Sequence, residues 1–157
     1  MHLKLETGMG RLGFDENELE KLIDFLKQFP DITVISVMSH LAAADEPSED
    51  SFSVQQIEQF QRMYEHLQSA LGIQAFRHVL NTSGILRFPQ YSMEMVRMVI
   101  GLYGINPIQS AETAPQLIEL GSLYSNISQI RIYPAGTITK PSKQLDKKMS
   151  KFSRHAR

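Results

Sequence analysis

The chain has 157 residues, enough for one ordinary domain with a sizeable core, and its 42% apolar and 21% charged residues are a globular rather than a disordered composition. The net charge of −1 gives no reason to expect nucleic acid or a membrane as partner. No cysteine is present, which excludes disulfides and thiolate metal sites and agrees with a reducing cytoplasm; no apolar run reaches the roughly 18 residues of a membrane span, and no secretory leader is recognisable.

Residues 2–5, His-Leu-Lys-Leu, read as the end of a strand, and a chain that opens this way is expected to begin inside a larger fold. A glycine-rich turn over 7–13 follows. Asp15 and Glu18 then have capping-box spacing, Phe14 is placed to staple onto Leu19, and Leu19, Leu22, Ile23, Leu26 and Phe29 repeat at helical spacing up to Pro30. Residues 32–38 are apolar and β-branched and read as a buried strand. Residues 42–50 form a polar, acidic loop. The spacing of Ser53 and Gln56 predicts a second capping box, with Phe52 stapled onto Ile57. Ile57, Phe60, Tyr64, Leu67 and Leu71 supply the buried stripe of that helix, and Gly72 its stop. Residues 76–80 read as a third strand, 82–86 as a short turn or helix, and 95–100 as a fourth strand.

Strands alternating with amphipathic helices predict a parallel sheet with helical crossovers. A full eight-stranded barrel takes about 250 residues, so about four strand–helix units make half of one. The pattern changes near Asn106. Residues 107–115 read as a loop, and 117–133 alternate like strands, with Ile130 and Ile132 on one side and Arg131 and Tyr133 on the other. From Lys140 onward the chain is basic and without apolar periodicity, so 140–157 is expected to be a disordered tail.

Gly8-Met9-Gly10-Arg11-Leu12-Gly13 matches GxGxxG between a strand and a helix, the setting of a dinucleotide loop. A dinucleotide site also wants an acidic residue at the end of the second strand, and Ser39-His40 stands there. A purely structural glycine turn is the plainer reading of the three glycines. His40 followed by Asp45 and Glu46 suggests a metal, but no second histidine lies at ligand spacing and no metal is expected. In a barrel, a polar residue at the C-terminal end of a strand faces the active-site mouth, and the phosphate site lies after the last two strands. Asn81-Thr82-Ser83 follows the third strand and Arg97 lies within the fourth candidate; small hydroxyl residues and free backbone N–H groups at a strand end suit a phosphate.

HLKLETGMGRLGF (2–14), SHLAAADE (39–46), RHVLNTSGILRFP (77–89) and MVRMVIGLYG (95–104), in that order, resemble alanine racemases, fold-type III enzymes dependent on pyridoxal 5′-phosphate. The resemblance covers about 1–138. It implies that 1–106 is the second half of a (β/α)8 TIM barrel, that 107–139 is a linker with the first strand of a β-domain, and that the protein is a cytoplasmic homodimer acting on alanine for peptidoglycan. Lys4 matches a lysine that orients the neighbouring arginine. Arg11 matches that arginine, which contacts the substrate carboxylate and the cofactor's phenolic oxygen. His40 matches the histidine that links the cofactor-side arginine to the second base. Asn81 and Thr82 match the pair at the phosphate, Thr82 standing for a commoner serine. Arg97 matches the arginine on the pyridine nitrogen, and Val99 and Ile100 match two backbone N–H donors to the phosphate, Val99 in place of a glycine. A β-branched residue there is expected to crowd the phosphate or oppose a required backbone angle. The two catalytic bases, a Schiff-base lysine and a tyrosine, are matched nowhere in the chain. It therefore reads as a truncated racemase that is inactive alone and binds its cofactor weakly or not at all. A non-catalytic interaction module and a racemase of another amino acid such as serine are the alternatives.

Overall fold

The computed structural model describes residues 1–108, 117–118, 120–122, 124, 126, 138–139 and 143–144. The chain divides into two units, Met1–Leu120 and Gly121–Arg157. The first holds three strands, β1 (His2–Lys4), β2 (Ser36–Met38) and β3 (Phe76–His78), in one parallel sheet of order β1-β2-β3. Helices α1 (Leu19–Gln28) and α2 (Asp50–Leu71) connect them, and α3 (Thr82–Arg87) follows β3. In register, Lys4 pairs with Met38 and Met38 with His78, so these residues stand in one row across the sheet.

Strand alternation separates two faces. Leu3, Leu5, Val37 and Val79 are buried with the helices' apolar stripes: Leu19, Leu22, Ile23 and Leu26 on α1, and Ile57, Phe60, Met63, Tyr64 and Leu67 on α2. The opposite face carries polar residues: His2, Lys4, Ser36, His78 and, just past the strand end, His40.

The first capping box forms as the spacing predicts, on a 3₁₀ turn, Glu16–Glu18, that leads into α1. The Asp15 carboxylate accepts from Asn17 N and Glu18 N at 2.8 and 3.1 Å, and Glu18 accepts from Asp15 N at 3.1 Å. Gly72, with φ +66°, closes α2 through its N–H to Gln68 O at 2.8 Å.

Three sequence expectations are corrected. The second helix does not start at Ser53. A short 3₁₀ turn, Pro47–Glu49, leads into α2 at Asp50, with no side-chain cap. Ser53 and Gln56 are therefore inside the helix and fully buried. Phe52 lies against Gly8, where an added Cβ would come within 3.0 Å of its ring. Secondly, the strand expected over 32–38 is regular only at Ser36–Met38, and Ile35 is half exposed. Thirdly, residues 95–100 form no strand, so the sheet has three strands where the sequence suggested four. Met95 N donates to Arg77 O at 3.3 Å and Arg97 N to Leu80 O at 3.0 Å. Two residues on one side thus span three on the other, an offset that a regular parallel ladder does not allow. The chain then turns into a 3₁₀ segment, Ile100–Tyr103.

The expectations for 107–139 and 140–157 fall almost wholly outside the described residues. There the structure describes an antiparallel pair, β4 (Ile138–Thr139) with β5 (Lys143–Gln144). Among the described residues no helix is long and apolar enough to cross a membrane.

Candidate functional site

The C-terminal ends of β1, β2 and β3 gather most of the residues singled out in the sequence. After β1 the chain loops back, and Phe14 N bonds Lys4 O at 2.9 Å while Glu6 N bonds Phe14 O at 2.9 Å. Gly13 has φ +116°, and a Cβ there would approach Lys4 O to 2.8 Å, so only glycine fits. The centre of this loop is filled by Glu6. Its carboxylate accepts from Gly8 N at 2.6 Å, Gly10 N at 3.0 Å and Arg11 N at 3.4 Å. Partial burial works against the charge, but the N–H groups of Gly10, Gly8, Arg11 and Met9 outweigh it and hold the carboxyl below its usual range. The donors a nucleotide phosphate would need are thus occupied by the chain's own anion, which removes the dinucleotide reading. Lys4 Nζ donates to Leu12 O and lies 3.7 Å from Glu6 Oε2, pinning the other side of the loop. Arg11 projects from it, exposed.

At the end of β2, Ser39 Oγ donates to Leu5 O at 2.9 Å and accepts from Thr7 Oγ1 at 2.7 Å, all buried, which ties the first two strand ends together. His40 follows. Its Nδ1 is bonded to Arg97 Nη2. Arginine has no acceptor, so Nδ1 must accept and the proton of the neutral ring sits on Nε2. Burial lowers the pKa of His40 below 6.5, and the charges of Arg97, Arg11 and Lys4 add to it. His40 is thus neutral at pH 7 among three cations. Arg97 Nε is buried without a partner, as is His78 Nδ1 beside it in the charge field of Arg97. The guanidinium therefore has one edge committed to His40 and an unused donor, in a pocket of positive charge.

After β3, Asn81 caps α3, its Oδ1 accepting from Gly84 N at 2.9 Å, and its Nδ2 donates to Leu41 O at 3.3 Å. Thr82 is buried, and its Oγ1 receives Val99 N at 3.0 Å and Gly101 N at 3.2 Å. The second converging N–H comes from Gly101, a position the sequence reading did not single out; Ile100 lies between the two. Val99 has φ −112° and ψ −95°, and its side chain is half exposed.

Several contributors carry no motif. Glu94 forms a two-pronged pair with Arg77, with Arg77 Nε at 3.0 Å from Oε2, and also accepts Arg77 N at 2.9 Å. This pair fastens the start of the segment that carries Arg97. Arg87 donates to Ala44 O at 2.8 Å and pairs with Asp50, which holds the loop after His40. Gln56 also reaches that loop. These contacts cross 14 to 43 residues of sequence, and no local spacing signals them. Cavities of about 440 and 430 Å³ lie elsewhere, one lined by Leu26, Pro30, Val34 and Leu71, the other by Tyr64, Phe76 and Glu94.

A sequence profile of the alanine racemase N-terminal domain matches residues 1–107. The alanine racemase of Carboxydothermus hydrogenoformans is 40% identical over 139 residues, covering 86% of this chain and 36% of that relative. The chain thus spans about a third of the length of the curated relatives it matches. Among solved structures, the alanine racemase of Streptomyces coelicolor A3(2) superposes with a TM-score of 0.70 at 25% identity, over 89% of this chain and 38% of that one. The alanine racemase of Bacillus anthracis, solved with bound L-Ala-P, gives 0.64 at 27% identity, over 92% and 39%.

Proposed function

The chain belongs to the alanine racemase family, matching its N-terminal domain over residues 1–107, and on that premise we propose that these residues form the cofactor- and carboxylate-binding half of a pyridoxal 5′-phosphate barrel that interconverts L- and D-alanine. The observation that carries the reading is the Arg97 guanidinium, bonded to a neutral His40 on one side and holding a buried, unused Nε on the other. A cation placed there suits a pyridine nitrogen that is to stay unprotonated, since an arginine donates a hydrogen bond without giving up its proton. Arg11 supplies a fixed cation for the substrate carboxylate, a task suited to the planar guanidinium fork. Thr82 Oγ1 accepts from both Val99 N and Gly101 N, so what this cluster offers a phosphate is the Thr82 O–H, held in place by the two amides. The cofactor would supply an electron sink that makes the Cα proton of alanine removable.

The residues here bind and orient; they do not transfer the proton. Racemisation needs one base on each face of Cα. Neither base has a counterpart in these 157 residues, so the reaction needs both from outside them. The neutral Nε2–H of His40 is suited to orient one of these bases, and a partner subunit in a homodimer is where the family resemblance puts it.

The test uses pyridoxine 5′-phosphate, which keeps ring and phosphate but has no aldehyde to react with surface lysines. Titration followed by the ligand's phosphorus resonance should give weak, saturable binding that is lost in Arg97→Ala and in Thr82→Val. Binding indifferent to both changes would overturn the cofactor assignment. Racemisation of alanine by the 157-residue chain alone would overturn the claim that both bases lie outside it.

A further inference from the structure

Gln56 is fully buried, on the second turn of α2, and its amide is spent on a loop rather than on its own helix. Its Oε1 accepts Ala42 N at 2.9 Å, and its Nε2 donates to His40 O at 3.2 Å. The two bonds bracket Leu41, which is itself buried. No strand ladder holds His40 O or Ala42 N, so the backbone that carries the His40 ring is set from a helix 14 to 16 residues away. The same side chain also underlies the glycine loop. Gly8 has φ +124°, and a Cβ added there would lie 3.5 Å from Gln56 Nε2 and 3.0 Å from the Phe52 ring. One turn of α2 therefore supports both the loop that carries Arg11 and the loop that begins with His40.

We propose that Gln56 is a positioning residue of this site: it fixes the His40 backbone so that Nδ1 meets Arg97, and seats the Arg11 loop beside it. The role rests on the racemase reading, but the contacts do not. A carboxamide suits the position because it offers a donor and an acceptor on one rigid plane, at a depth where a carboxylate would be expensive to bury. A methionine would fill the same volume and could make neither bond.

The test reads the His40 ring in the full 157-residue chain by histidine NMR across pH. Gln56→Met should let the loop relax, moving the ring away from Arg97 and raising its titration midpoint toward 6.5. Ser53→Ala is the control. Ser53 is equally buried on the same helix, and its Oγ has no hydrogen-bond partner. It should leave the His40 midpoint where it is. An unchanged midpoint in Gln56→Met, or the same movement in Ser53→Ala, would overturn the proposal. Should Gln56→Met fail to fold, hydrogen exchange in the unaltered chain decides. The Ala42 amide, bonded to a buried acceptor, should exchange as slowly as the core amides of α2, and exchange as fast as the exposed Leu12 amide would overturn the role. Failure of the pyridoxine phosphate titration leaves these readouts untouched, so the two hypotheses fall separately.

Discussion

Residues 2–80 and residues 94–105 are both rich in apolar side chains, yet they are held in different ways. In the first region the strands share a backbone ladder, and their inner face is sealed by α1 and α2: Leu5, Val37, Ile57, Phe60 and Leu67 are all at 0% exposure. In the second, Met95, Val96, Met98, Val99 and Ile100 are 38–50% exposed, and the ladder is broken after two offset bonds. Side chains hold it instead: Glu94 on Arg77 at one end and Thr82 under Val99 and Gly101 at the other. Burial fixes the scaffold in one region, and a few polar contacts fix a functional segment in the other. Arg97 lies in the second region, so the placement of this candidate cofactor ligand depends on a small number of hydrogen bonds.

The comparison breaks first at the core. Phe60→Ala should cost about 3–5 kcal/mol in denaturant unfolding, whereas Val96→Ala, at an exposed position, should fall within about 0.5 kcal/mol of the unaltered chain. Equal losses at the two sites would mean that the segment is packed like the scaffold. Next comes Thr82→Val, which keeps the side-chain shape and strands two N–H groups. A loss of about 1–3 kcal/mol is expected, with faster amide exchange confined to Val99 and Gly101. Thr82→Ser should restore both.

The smallest effect belongs to Glu94. Its carboxyl is pulled down to about 2 from 4.5, chiefly by the side-chain bond from Arg77. The pair is more than a third exposed, so screening limits it to about 1 kcal/mol. The folded pKa lies below the unfolded one, so this stabilisation is complete above pH 4.5 and is lost as the pH falls from there toward 2. Glu94→Gln should remove that acid-sensitive component and leave the unfolding curve at lower stability near neutrality. An unchanged pH dependence between 5 and 2 would show that the pair contributes nothing.

Much of the scaffold was legible because burial leaves a periodic trace. Leu19, Leu22, Ile23 and Leu26 announced α1, and Asp15 with Glu18 marked its start. The residues at the strand ends were legible through their motifs, and Lys4, His40 and Arg97 do come together around one charged cluster. Ser53 and Gln56 misled because a capping box is a local pattern, and the same spacing also fits two buried residues one turn apart inside a helix. The fourth strand misled for a related reason. Residues 95–100 have strand-like composition, but they meet the chain where β3 has ended and Leu80 leads into α3, which composition does not report. Gly101, Glu94 and Gln56 were silent because each acts across the fold.

Thr82 and Gly101 share one further constraint. A Cβ on residue 101 would come 2.8 Å from the Thr82 methyl but 3.4 Å from its hydroxyl. The obstacle is thus the one carbon by which threonine exceeds serine. The two positions are therefore coupled: alanine at 101 is penalised beside threonine and relieved of that contact beside serine, with the hydroxyl still available to both amides.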